Sequence, residues 1–253
     1  MILTLDQIRL LTKCVGGGPI NKASIVIFGN ELGTAEGGNV ERSIEKFEHD
    51  WTTGERIILN TGFVSLNIGT PPVNSTFLQF ISRLALAIRH KDSRFLETLT
   101  PSGKAFVNDY IMHELDRTET AIINLRPLPQ STERHWHYLN VGEKDYYKQY
   151  NFTLRRKPYD SYSHLRVRAI KAGFDLAKNA LILGAGDKNN KRAFFQHIYP
   201  DIKFEEIELN EKLKIYVSKY PKIILSNYYD NRNGIRLSGL QEIYKYIIDN
   251  KIA

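Results

Sequence analysis

The chain has 253 residues, 42% of them hydrophobic, enough for one α/β domain with its own core. Lys and Arg number 35 against 28 Asp and Glu, a formal charge of +7, and 14 Tyr and 12 Phe accompany them, a balance compatible with a nucleic-acid partner but no proof of one. The single cysteine, Cys14, excludes an internal disulfide and a four-cysteine metal or iron–sulfur site, and no apolar run reaches the ~18 residues of a membrane span.

In chain order, Ile2, Leu5, Ile8, Leu11 and Val15 are spaced like one helix face, and Gly16-Gly17-Gly18-Pro19 ends that helix. Ile25, Val26, Ile27 and Phe28 form a β-branched, uncharged run, the pattern of a strand buried on both faces of a parallel sheet. It is expected to stop at Gly29. Asn30 and Glu31 then stand just past the strand end, where open α/β sheets hold their ligands. A helix is expected over 39–50 and an extended stretch over 60–66, after which Pro71-Pro72 stiffens the chain. Ser75 is a suitable N-cap for a helix over 77–88, and a further helix is expected over 102–115.

The second strand runs from Thr120 to Leu125, and Pro127 and Pro129 are expected to stop it. Residues 130–163 are aperiodic and rich in Tyr, His, Arg and Lys, and read as a long surface loop with one helix near the strand ends. Residues 163–176 read as a basic helix with Arg166, Arg168 and Lys171 on its solvated face. The third strand, 179–183, ends at Gly184-Ala185-Gly186 and leads into a helix over 188–198. The fourth, 223–225, leads into a loop beginning at Asn227 and a last helix over 238–249. Four apolar strands separated by helical segments predict one α/β domain, a three-layer α/β/α sandwich on a four-stranded parallel sheet, with the polar strand ends on one edge. Glu133, His135 and His137 lack a further placed ligand for a metal, and Gly184-Ala185-Gly186 is too short for a dinucleotide fingerprint, so no cofactor is expected. The first residues show no basic-then-apolar signal pattern, and a cytoplasmic location is expected.

The order of these motifs resembles the uracil-DNA glycosylase superfamily. Gly29-Asn30-Glu31-Leu32-Gly33 resembles its water-activating loop, with Glu31 where an Asp or Asn stands and Leu32 in place of proline. Gly62-Phe63-Val64-Ser65 resembles the segment that stacks on the flipped base. Pro71-Pro72-Val73-Asn74-Ser75 resembles the stretch that pinches the DNA backbone. Ile123 to Pro129 resembles the strand whose Asn reads the base edge, Leu181 to Gly184 the third core strand, and Asn227 to Leu240 the final loop. Two departures stand out. Asn227-Tyr228-Tyr229 replaces His-Pro-Ser, so the electrophilic histidine is missing, and the lone cysteine rules out the iron–sulfur branches.

The resemblance implies a monofunctional DNA glycosylase, acting as a monomer on a base flipped from duplex DNA. It makes Glu31, Asn30 and Asn227 the catalytic candidates. Phe63, Asn124 and Gly33 are the base-binding candidates, and Ser75, Arg232 and Ser238 the DNA-binding ones. Glu31 would orient and deprotonate water, Phe63 would stack, Asn124 would read the base edge, and Arg232 would enter the vacated stack. No lysine falls in the strand-end motifs, which favours hydrolysis over Schiff-base chemistry. Strict uracil enzymes of the family carry a tyrosine where Gly33 stands, a wall against groups on pyrimidine C5. Its loss implies a bulky 5-substituted base, such as hydroxymethylated or glucosylated cytosine, removed in antiviral defence, with segment 130–163 lining the space beyond C5. The competing expectations are a repair enzyme of broad specificity, an inactive DNA-binding module on the same fold, and an enzyme acting on free nucleotides.

Overall fold

The computed structural model describes residues 1–33, 39–53, 57–58, 63–64, 76–96, 120–130, 136–154, 161–227 and 237–252. The four apolar runs form strands β2 (Ile25–Gly33), β5 (Thr120–Gln130), β6 (Leu181–Ala185) and β9 (Ile223–Ser226), all parallel, in the spatial order β5-β2-β6-β9. Their side chains alternate between two cores. Ile25, Ile27, Ile122, Leu183 and Ile224 pack against helices α3 (Thr76–His90) and α7 (Leu237–Asp249). Val26, Phe28, Ile123, Ile182 and Leu225 pack on the other face, against α5 (Ser161–Leu176) and α6 (Lys188–Ile198). Burial on both faces explains why these strands are uniformly apolar. Phe28 illustrates the density, with the rings of Phe174, Phe194 and Phe195 all within 5.4 Å of its own.

The sheet is larger than the expected four strands. Among the described residues it has nine, in the order β3-β4-β1-β5-β2-β6-β9-β8-β7. On one flank, β7 (Glu205–Asn210) and β8 (Leu213–Ser218) form a hairpin antiparallel to β9. Its outer strand alternates Ile207 and Leu209 with exposed acids, a half-buried pattern that a search for fully apolar runs passes over. On the other flank lie three two-residue strands, β1 (Gly16–Gly17), β3 (Ile57–Ile58) and β4 (Phe63–Val64).

The glycines after α1 (Leu5–Lys13) therefore do more than end it. Gly16 pairs with both Ile123 and Phe63, and a Cβ on it would lie 1.8 Å from the Ile122 carbonyl oxygen, so only glycine lets β1 approach β5. At the helix's other end, Thr4 and Gln7 form a reciprocal capping box. Helix α2 (Val40–Thr53) lies close to the expected segment, whereas the helix expected at 102–115 falls outside the described residues.

Strands β2 and β5 both overrun their expected ends. Gly29 pairs with Asn124, Glu31 with Arg126 and Gly33 with Gln130, with a register shift between Glu31 and Gly33. The two strands hold each other in extended form, and the shift accommodates Pro127 and Pro129, which cannot donate to a ladder.

Two further expectations are corrected. Arg166 is fully buried, not solvated. Its guanidinium donates to the carbonyls of Leu11, Thr12, Cys14, Val15, Asn124 and Leu125, at 2.5–3.4 Å. A cation at the last turn of α1 is favoured by the helix dipole. Burial pulls its pKa below the ordinary value, opposed by Tyr150, Cys14 and Tyr146.

Segment 136–154 is likewise less of a loop than expected. It carries helix α4 (Glu143–Gln149), and Tyr138, Tyr146 and Tyr150 join Leu3, Leu11, Val40, Ile44 and Leu128 in a third core. Tyr138 donates to Pro129 O at 2.6 Å and Tyr146 Oη accepts from Leu128 N at 3.0 Å. Tyr138 and Tyr146 hold the segment to the end of β5, and all three tyrosines are buried and do not line an open space.

Candidate active site

Phe63, Gly16, Ile123, Phe28, Gly184 and Leu225 form one row of paired residues across β4, β1, β5, β2, β6 and β9. Just beyond this row lie Asn124 and Gly29, then Asn30 and Glu31. The chain leaves β2 for β5 on one side and later crosses to β6 on the other, by way of helices on opposite faces. The carboxyl ends of β2 and β6 therefore flank a topological switch point, the usual place of a ligand crevice in such sheets.

Asn124 lies on the Ile122 face. Its backbone is fixed from both directions, since its N–H donates to Val15 O at 2.9 Å and its carbonyl accepts from Arg166 at 2.5 Å. The residue is only 5% exposed. Its amide reaches over Gly29, where a Cβ would stand 2.5 Å from Oδ1. The amide makes no hydrogen bond among the described residues. An amide held in this way at a strand end can take a hydrogen-bonding ligand.

Asn30 follows Gly29 and by alternation falls on the opposite face, toward α6. Its Oδ1 accepts a hydrogen bond from Lys191 Nζ, which also donates to Gly186 O at 3.0 Å. Lys191 is fully buried, and its Nζ lies 5.2 Å from the centre of the Phe28 ring. Carbonyl oxygens and a ring face all favour the charged amine. The strand-end motifs themselves contain no lysine, yet the fold brings Lys191 to the same sheet edge. Lys191 belongs to the first turns of α6, and the turn at Gly186 (φ 77°) and Asp187 (φ 29°) brings it back to β2. Asp187 caps that helix, accepting from Asn190 N at 3.1 Å. Nearby, Lys188 and Arg192 lie 5.1 and 4.3 Å from the Tyr216 ring centre. Burial first, then Lys214 and Arg192, hold the Lys188 pKa below its usual value against the pull of Glu206.

The remaining candidates divide. Glu31 and Gly33 lie within paired β2, Glu31 opposite Arg126. Phe63 lies in β4, which β1 separates from β5. Asn227 is exposed at the end of β9, after Ser226, whose hydroxyl donates to Gly184 O at 3.4 Å. Ser238 is exposed in the first turn of α7. Ser75 and Arg232 fall outside the described residues, as do Glu133 and His135. His137 is described, and its carbonyl accepts from the Met1 amino group at 2.6 Å. Among the described residues no group of three or more metal-ligating side chains occurs, and no helix is long and apolar enough to cross a membrane.

No protein-family model, no curated protein and no solved structure matches the chain.

Proposed function

We propose that the chain is a monofunctional DNA glycosylase that hydrolyses the bond between a flipped pyrimidine and its sugar. The observation that carries this reading is the Asn124 amide, held over Gly29 with no hydrogen-bond partner among the described residues, beside the strand that holds Glu31. An amide offers a donor and an acceptor side by side, the complement of a pyrimidine's pairing edge. Glu31 lies two residues beyond Gly29 on the neighbouring strand and would deprotonate the attacking water. Phe63 would stack on the base from β4, and Ser75, Arg232, Ser238 and Asn227 would act on the DNA and the leaving base.

Gly33 offers no side chain to exclude a group at pyrimidine C5, so the preferred base is a bulky 5-substituted cytosine of the kind found in modified phage DNA. Excision of such bases would serve antiviral defence. The test is alkali-induced strand cleavage of duplexes, each with one modified base. Breaks at hydroxymethylated or glucosylated cytosine, faster than at uracil, are the expected result. Faster release of uracil would remove the modified-base preference, and no break with any base would remove the glycosylase reading.

A further inference from the structure

The sequence motifs leave the departing base without an evident electrophile, and the structure places a buried amine near the same sheet edge. A protonated lysine has three donors and no acceptor, so only the oxygen of the Asn30 amide can face it. The amide is thereby locked. Its Nδ2, which has no partner among the described residues, must point away from Lys191. Asn30 thus presents N–H donors only. The charge behind it polarises the amide and strengthens those donors, the more so because Lys191 is fully buried and water does not screen it. A donor backed by a buried positive charge suits an oxygen that carries, or is gaining, negative charge.

We propose that Lys191, acting through Asn30, makes the crevice between β2 and β6 a receptor for the pyrimidine oxygen that gains negative charge as the base departs. The choice of oxygen rests on the glycosylase reading; the donor-only character of Asn30 does not. In the step itself, the bond from the sugar C1′ to the ring nitrogen breaks and its electron pair moves into the pyrimidine, spreading onto O2. Water oxygen bonds to C1′, one water proton passes to Glu31, and that proton later returns to the departed base. Asn30 donates to O2 as the charge develops. Lys191 does not touch the base; it is a positioning residue that fixes and polarises Asn30.

The experiment compares single-turnover release of uracil and of 5-fluorouracil from the same duplex. Fluorine makes the base a better leaving group and so less dependent on help from the protein. In Lys191→Met, release of uracil should fall roughly tenfold or more beyond any fall for 5-fluorouracil. Asn30→Asp, which keeps a partner for Lys191 but turns a donor into an acceptor, should show the same selective loss and keeps the test open if Lys191→Met fails to fold. Equal losses for both bases, or losses confined to DNA affinity and its salt dependence, would make the acceptor a phosphate or the role purely structural, and would overturn the inference. A wild-type protein that releases neither of these bases nor any 5-substituted cytosine would instead overturn the glycosylase reading, and this assignment of the oxygen with it.

Discussion

Gly29 and Asn124 are paired across β2 and β5, and the Asn124 amide fills the space that a side chain at residue 29 would take. Gly29 does not have a positive φ, so its backbone accepts any residue, and the atom in the way is the movable end of a side chain. Gly29→Ala should therefore leave stability within about 1 kcal/mol of wild type. It should displace the amide and lower kcat/KM roughly a hundredfold. Thermal melts and base-release kinetics on the same preparation check this. A fully active Gly29→Ala would show that the amide's position does not matter.

Glu31→Gln removes the base and keeps the shape. DNA binding should persist, while single-turnover base release falls by at least about a hundredfold. Unchanged release would take Glu31 out of the mechanism.

Arg166 joins the end of α1 to the end of β5 through six carbonyls. Arg166→Met leaves several of them buried without a donor, and each such group costs about 1–3 kcal/mol, so a loss of at least about 3 kcal/mol is expected. Arg166→Lys should recover only part of it, because one amine cannot span the positions of a planar fork. Urea unfolding of both variants decides this. A lysine variant as stable as wild type would mean that the charge alone is sufficient.

Tyr138 and Tyr199 link stability to alkaline pH. Burial, with a smaller contribution from Tyr147, raises the Tyr138 pKa above the ordinary phenol value. Burial, then the hydrogen bond to Asp175 at 2.8 Å and its charge, do the same for Tyr199. Below the unfolded value of about 10 both phenols are protonated in either state, and their contribution is fully present. Above it the unfolded chain loses these protons first, so stability falls as pH rises toward the folded values. Denaturant midpoints measured across that range should decline, and the decline should be shallower in Tyr138→Phe and in Tyr199→Phe. Tyr138→Phe should also lose about 1 kcal/mol at neutral pH with its bond to Pro129 O. An unchanged pH slope in both variants would contradict the linkage.

The parallel heart of the sheet is legible in the sequence because strands buried on both faces cannot carry polar residues. Ile25 to Phe28, Leu181 to Leu183 and Ile223 to Leu225 announce themselves. The β7–β8 hairpin is half solvated, so its signal is alternation and not an apolar run. The lengths of β2 and β5 depend on each strand having the other as partner, which neither segment shows alone.

Within the site, Asn30, Glu31 and Asn124 stand out by their place at strand ends. Lys191 does not. It lies among the polar residues of a helix start, and only the turn at Gly186 and Asp187 carries it back to Asn30. Arg166 escapes notice for a related reason. Its partners are backbone carbonyls up to 155 residues away, and carbonyls leave no trace in residue type.

The contacts of Arg166 also set an order of events during synthesis. Cys14, at the end of the first helix, is 152 residues ahead of the arginine that binds its carbonyl. At a translation rate of about 5–20 residues per second, the helix and the Gly16–Gly17 strand wait roughly 8–30 s for that anchor to emerge. In that interval Leu11, which the finished protein buries completely, has neither Tyr146 nor Tyr150 to cover it. For more than half of its synthesis the nascent chain therefore carries Leu11 without its tyrosine cover, a contact site for the chaperones that attend the ribosome.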